Sequence, residues 1–212
     1  MYAHIFIASN MKTIKKSSII TAFGFGALLM SFGPIQKLEK LTIKPESSKI
    51  EWFAEKITGQ HNGLINLKRG SITVEDGQLK GGSFIVDMTT IKVTDLQGEY
   101  AQKLEGHLNS ADFFNTAEYK TAEFTITGVK PQTGEEYNSV INGNLTIKGI
   151  THPTSFPAKI ETTEGKFAAY GEMVIDRSKY DVRYGSNSFF DNLGDKAIYD
   201  EFTMKVSLGA KL

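Results

Sequence analysis

The chain has 212 residues, 40% hydrophobic and 23% charged, with 20 glycines against five prolines, which fits one globular unit rich in turns better than a disordered or collagenous chain. Basic and acidic residues balance at 24 each, so the strong positive field that holds a nucleic-acid backbone is not expected. The absence of cysteine removes disulfides, thiolate nucleophiles and cysteine-ligated zinc.

The first feature along the chain is a leader. Lys12, Lys15 and Lys16 follow Met11 and precede an apolar run from Ile19 to Phe32, broken only by Thr21, Ser31 and small residues. That is the order of a secretory signal, and its 14 residues fall short of a membrane span. Residues 1–33 are therefore expected to be an N-terminal extension and signal peptide, with translation beginning at Met11. Residues 34–212 are expected to be one folded domain, placed in the periplasm or secreted. Without the leader the body holds 21 basic and 24 acidic residues, a net charge of −3.

From Leu41 onward, short alternating segments separated by Gly, Asn or Asp predict antiparallel strands in an all-β body. Ile50, Trp52 and Ala54 share one face of the first strand. Leu64, Leu67, Ile72 and Val74 predict a second, long strand bent at Gly70. Asp76-Gly77 predicts a tight hairpin leading to Leu79 and then Phe84, Val86 and Met88 on one face. Between Thr94 and Leu108 the spacing of Leu96, Tyr100, Leu104 and Leu108 predicts one helix docked by that stripe. Thr94 with Gln97 has the form of a capping box, Asp95 suits the positive end of the dipole, and Gly98 and Gly106 each weaken the helix. Ser110 and Asp112 predict a short turn that brings Phe113 and Phe114 inward. Further strands follow around Phe124 and Ile126, Leu145 and Ile147, Phe156 to Ile160, Phe167 to Ile175, and Phe202 to Leu208. About eight strands suffice for a closed barrel, whose interior is either filled by side chains or open to one small ligand. The 14 phenylalanines and six methionines serve either purpose, and composition does not separate them.

The chemistry-bearing residues show no local signature of catalysis. His61 lies in a glycine-flanked turn, His107 follows Gly106 and His152 precedes Pro153, none at metal-ligand spacing from another. No serine stands in a nucleophile elbow and no carboxylate pair is marked for acid and base work. Neither a metal nor a cofactor is expected, and a binding module is favoured over an enzyme.

Several segments together resemble the YceI-like family of exported, lipocalin-like polyisoprenoid-binding proteins. The stretch Gly106 to Phe114, followed by Tyr119 and Ala122-Glu123-Phe124, and the stretch Gly143 to Thr151 carry most of the likeness. Ser48 to Trp52, Gly59 with His61 and Gly63, Gly81-Gly82 and Arg177 to Tyr180 add to it in the same order. Lys120 departs from the family's usual proline, and the loop from Ser186 to Asp195 with its Phe189-Phe190 pair is a further departure at the rim. The resemblance covers about Leu41 to Leu212 and implies an extended eight-stranded antiparallel lipocalin-like barrel with one docked helix. It further implies a long apolar interior that takes an isoprenoid-type lipid. The candidates for the lining, each on an apolar face or at the docked helix end, are Trp52, Phe84, Val86, Met88, Phe113, Phe114, Leu145, Ile147, Phe167, Met173, Phe202 and Met204; for His61 and His107 the resemblance implies importance, either in support of the helix or in contact with the ligand. The expected partner is a long-chain lipid and not nucleic acid; a homodimer and closeness to a membrane for lipid exchange are left open. The rival readings are a secreted β-barrel enzyme using His61, His107 and a nearby acid, and a filled barrel serving as a scaffold.

Overall fold

The computed structural model describes residues 38–163 and 165–211; the expected leader and its start at Met11 lie outside them. The strands are β1 (Leu38–Ile43), β2 (Ser48–Lys56), β3 (Gly59–Glu75), β4 (Gln78–Val93), β5 (Thr121–Pro131), β6 (Ser139–Ile147), β7 (Ile150–Thr163), β8 (Lys166–Asp176) and β9 (Ile198–Lys211), with the helix α1 (Gly98–Asn109) between β4 and β5. All pairings are antiparallel. Strands β2 to β9 close on themselves, because β2 pairs with both β3 and β9 while β3 also pairs with β4. The result is the expected eight-stranded barrel.

Strand β1 is an addition that the sequence pattern did not reveal. It shares one edge of β3 with β2: β2 lies along Gly59 to Leu64 and β1 along Gly70 to Glu75. A 3-10 turn at Pro45–Ser47 makes the step between them, held by Ser47 Oγ donating to the Gly209 carbonyl at 2.7 Å.

The hairpin at Asp76-Gly77 forms as expected, with positive φ of 49° and 78° at the two turn residues, the backbone of a type I′ turn. The long strand β3 behaves differently from a simple alternation. Ile65, rather than Leu64, shares the deeply buried face with Leu67, and Ile72 and Val74 continue on that face. Leu67 and Ile72 have opposite parity, so one phase cannot bury both. A register shift between Leu67 and Arg69 against β4 absorbs the difference. A larger irregularity lets β4 bury both Met88 and Ile91: Leu64 pairs with Lys92, and Asn66 then pairs with Asp87. Thr90 Oγ1 bridges that gap, accepting from the Asn66 amide at 2.9 Å and donating to the Asp87 carbonyl at 2.7 Å.

The helix exists but starts later than its pattern suggests. Thr94 and Asp95 do not cap it. Thr94 Oγ1 accepts from Asn62 Nδ2 at 2.9 Å, and Asp95 accepts from the Asn62 amide at 3.1 Å. Gln97 is the N-cap without a side-chain bond. Because Leu96 precedes the helix, the docked stripe narrows to Ala101, Leu104 and Leu108, and Tyr100 turns to solvent at 74% exposure. Glu105 ties the helix to the end of β4, accepting from the Val93 amide at 3.0 Å and pairing with Lys92 at 2.9 Å. No described helix is long and apolar enough to cross a membrane.

Candidate functional site

The barrel interior contains a cavity of about 200 Å³ to which every barrel strand contributes side chains. A water needs roughly 10–15 Å³ of such space, so the core is not filled solid. Its wall follows from the strand register. Trp52, Met204 and Met173 are consecutive cross-strand partners on β2, β9 and β8. Phe84, Phe124 and Leu145 are consecutive partners on β4, β5 and β6. Phe124 also meets Phe156 at 5.6 Å between ring centroids, which thickens the aromatic wall on that side.

At the helix end, the turn after α1 brings Phe113 and Phe114 inward, as expected, with their rings 5.0 Å apart and Phe114 6.4 Å from Phe202. All twelve apolar candidates line the cavity: Trp52, Phe84, Val86, Met88, Phe113, Phe114, Leu145, Ile147, Phe167, Met173, Phe202 and Met204. Ile65 and Ile91 line it too, hidden from a strict alternation by the phase changes in β3 and β4, as does Ile72 of the bent strand.

Neither His61 nor His107 is among the lining residues. His61 Nδ1 lies 2.7 Å from Asp95 Oδ2. Burial of Asp95 alone would raise its pKa; hydrogen bonds from His61 and the Asn62 amide outweigh that and leave it below the usual carboxylate value. His107, in the last turn of α1, packs edge-on against Tyr184 at 4.3 Å and Phe113 at 5.6 Å. His152 faces the Lys179 carbonyl at 3.0 Å. Among the described residues, no group of three histidine or acidic side chains is placed to hold a metal.

Arg177 is the charged lining residue that the sequence pattern did not single out. It is 2% exposed, and four of its five N–H groups donate to backbone carbonyls. Nε donates to the Tyr199 carbonyl at 3.1 Å, Nη1 to those of Val182 and Tyr184 at 2.8 and 2.9 Å, and Nη2 to that of Ile198 at 3.0 Å. Nη2 also pairs with Asp200 at 3.3 Å, and the guanidinium lies 5.4 Å from the centre of the Phe113 ring. Burial pushes its pKa down, while Asp200 and Asp176 push back. With four donors on backbone carbonyls, Arg177 acts as a staple that holds the chain after β8 at this end of the barrel. Its signal was only the run Arg177 to Tyr180, because its partners are backbone carbonyls with no sequence signature.

A model of the YceI-like domain family matches residues 41–210. Curated relatives include UPF0312 protein plu2095 of Photorhabdus laumondii, 43% identical over 108 residues, and Protein YceI of Escherichia coli O157:H7, 44% identical over 71 residues. These alignments cover 51% and 34% of this chain, and 54% and 35% of the respective relatives' own lengths. Among solved structures, Burkholderia cenocepacia BcnA superposes with a TM-score of 0.64 at 18% identity, over 79% of this chain and 99% of that one. A polyisoprenoid binding domain from Saccharophagus degradans, implicated in plant cell wall breakdown, superposes with a TM-score of 0.55 at 12% identity, over 82% and 99% of the two chains.

Proposed function

The chain belongs to the YceI-like domain family, and from that premise we propose that it is an exported binding protein that sequesters or carries an isoprenoid-type lipid, such as a polyprenyl chain or a quinone tail. The observation that carries this reading is the cavity walled by apolar side chains from all eight barrel strands. The naming of the Saccharophagus degradans domain, which shares the fold, as polyisoprenoid-binding supports the choice of cargo class.

The driving force is removal of a hydrocarbon chain from water. Each buried methylene contributes about 0.8 kcal/mol, so a few isoprene units outweigh the ordering of the chain without a charged anchor. In this reading the protein binds and does not react with its cargo. Export rests on the basic residues and apolar run of the leader, and places the protein in the periplasm or outside the cell.

Native mass spectrometry of protein purified from its own cell envelope, followed by organic extraction, tests the proposal. A lipid released in one-to-one stoichiometry is the expected result, and an extract without lipid overturns it. Fractionation of the producing cell with N-terminal sequencing of the mature chain tests export separately.

A further inference from the structure

Because successive barrel strands run antiparallel, the connections from β2 to β3, β4 to β5, β6 to β7 and β8 to β9 all lie at one end of the barrel. The connection from β8 to β9 is tied to the other three. His107 of α1 packs on Tyr184 at 4.3 Å, the Ile57 amide donates to the Ala197 carbonyl at 3.3 Å, and Lys148 Nζ donates to the Asp181 carbonyl at 2.7 Å. This end also carries most of the large apolar surface that the fold leaves in water. Among the described residues eight large apolar side chains are exposed, and six of them are here: Ile57, Tyr100, Tyr184, Phe189, Phe190 and Tyr199. Of the other two, Val174 is on β8, and Leu38 pairs with Glu75 beside the turn at the opposite end.

Phe189 and Phe190 are held outward by a built turn. Ser186 is buried, its carbonyl accepts from the amides of Phe189 and Phe190 at 3.2 and 3.0 Å, and its Oγ accepts from the Ser188 amide at 3.1 Å. Two neighbouring rings kept in water by a hydrogen-bonded turn forgo the burial that each would gain, which marks a surface covered in use. The cavity says what covers it. Of the eight exposed side chains, Tyr199 alone belongs to a residue that also lines the cavity, so cavity and apolar surface meet at the start of β9. Leu108, Phe113 and Phe114 of the same end line the cavity as well. A hydrocarbon chain passing between a bilayer and this cavity stays out of water only while this end sits in the bilayer surface, a boundary that suits aromatic rings. Net charge does not supply the attraction. The four connections, residues 57–58, 94–120, 148–149 and 177–197, hold seven basic and eight acidic residues, so no net positive field draws this end to anionic headgroups.

Resting on the lipid-binding reading above, we infer that this end of the barrel docks on a lipid bilayer, seating Ile57, Phe189, Phe190 and Tyr199 at the boundary between headgroups and acyl chains, and that the cargo crosses there. Burial of the rings drives the docking, so it needs no anionic lipid.

The test floats mature protein, purified from its own cell envelope, with vesicles of pure phosphatidylcholine and measures the fraction that rises with them. Wild type is compared with the double variant Phe189→Ser/Phe190→Ser, with Ile57→Ser on a second connection, and with Leu38→Ser, which removes an exposed apolar side chain at the opposite end. The double variant is expected to bind about tenfold more weakly than wild type, Ile57→Ser to lose a smaller factor, and Leu38→Ser to lose nothing. Wild-type binding is expected to hold as salt rises from about 0.05 to about 0.5 M, since no net charge carries it. Ile57→Ser reads out even where the double variant fails to fold. Absence of wild-type binding to phosphatidylcholine, binding that needs anionic lipid and disappears at high salt, equal binding by wild type and the two end variants, or an equal loss in Leu38→Ser overturns the inference. So does a wild-type dimer that the double variant dissolves without any vesicle binding, which would make the patch an interface between two copies. Each of these results leaves lipid binding intact where organic extraction of the same preparation still releases a lipid; an extract without lipid overturns that reading and the inference with it.

Discussion

Replacing Arg177 by methionine would strand four backbone carbonyls that one planar cation now satisfies and would leave Asp200 without its ion-pair partner. Removing one partner of a buried ion pair costs about 3–5 kcal/mol, and a loss in that range is expected from chemical denaturation of Arg177→Met. Arg177→Lys should recover only part of it, since an ammonium cannot present the guanidinium fork. Faster amide exchange in residues 182–186 would accompany both. The His61–Asp95 contact gives a pH-dependent counterpart on the outside of the barrel. Asp95 has a folded-state pKa below its unfolded value, so its stabilisation is present above the unfolded pKa of about 3.9 and is lost as pH falls through the folded one. Asp95→Asn should therefore lower Tm at neutral pH, and the gap from wild type should close as the pH falls below about 4. A gap that is constant with pH would mean that the carboxylate charge is not what holds this turn.

The elements show which parts of the fold local pattern can and cannot reveal. Alternation placed β2 and β4 to β9 because each turns one face to a continuous apolar interior. It misplaced the inward face of β3, where a shift between Leu67 and Arg69 changes the phase mid-strand, and it missed β1, whose pairing is set by distant β3. A single-phase reading has no term for a bulge. The helix shows the same limit, since Thr94 and Gln97 match a capping pattern while Asn62, on another strand, claims Thr94. The two helix glycines accordingly differ in kind. Gly98 opens α1 at φ +58°, where a side chain is strained, whereas Gly106 is exposed at the helix surface with nothing within 4 Å of an added Cβ. Gly106→Ala should raise stability by about 0.5–1 kcal/mol, and Gly98→Ala should lower it by about 1 kcal/mol. Thermal melts of the two single variants read the opposite signs directly; equal signs would show that this backbone strain does not govern the first turn.

For the molecule as a whole, one set of apolar side chains is both the core that holds the barrel together and the wall of the cavity. The twelve apolar lining candidates were legible because core and lining obey the same rule of inward alternation. The cavity itself was not, because whether inward side chains meet across the axis depends on barrel width and on the sum of their volumes. A substitution that adds bulk to the wall separates the two roles. Ala158 on β7 is 3% exposed, lines the cavity and lies opposite Gly171 in the register. In a solid core, Ala158→Phe would be overpacked and would lose about 1–3 kcal/mol. With space along the axis, the ring extends into the bore and buries its apolar surface there, so Tm should hold or rise. Lipid recovered per protein should fall, because ring and cargo compete for the same volume. Ala168→Phe, on the exposed face of neighbouring β8, controls for the added phenylalanine and should leave the lipid load unchanged. If Ala158→Phe kept its stability and a full load of lipid, the cargo would lie outside the bore and the barrel would be a scaffold for a surface site instead.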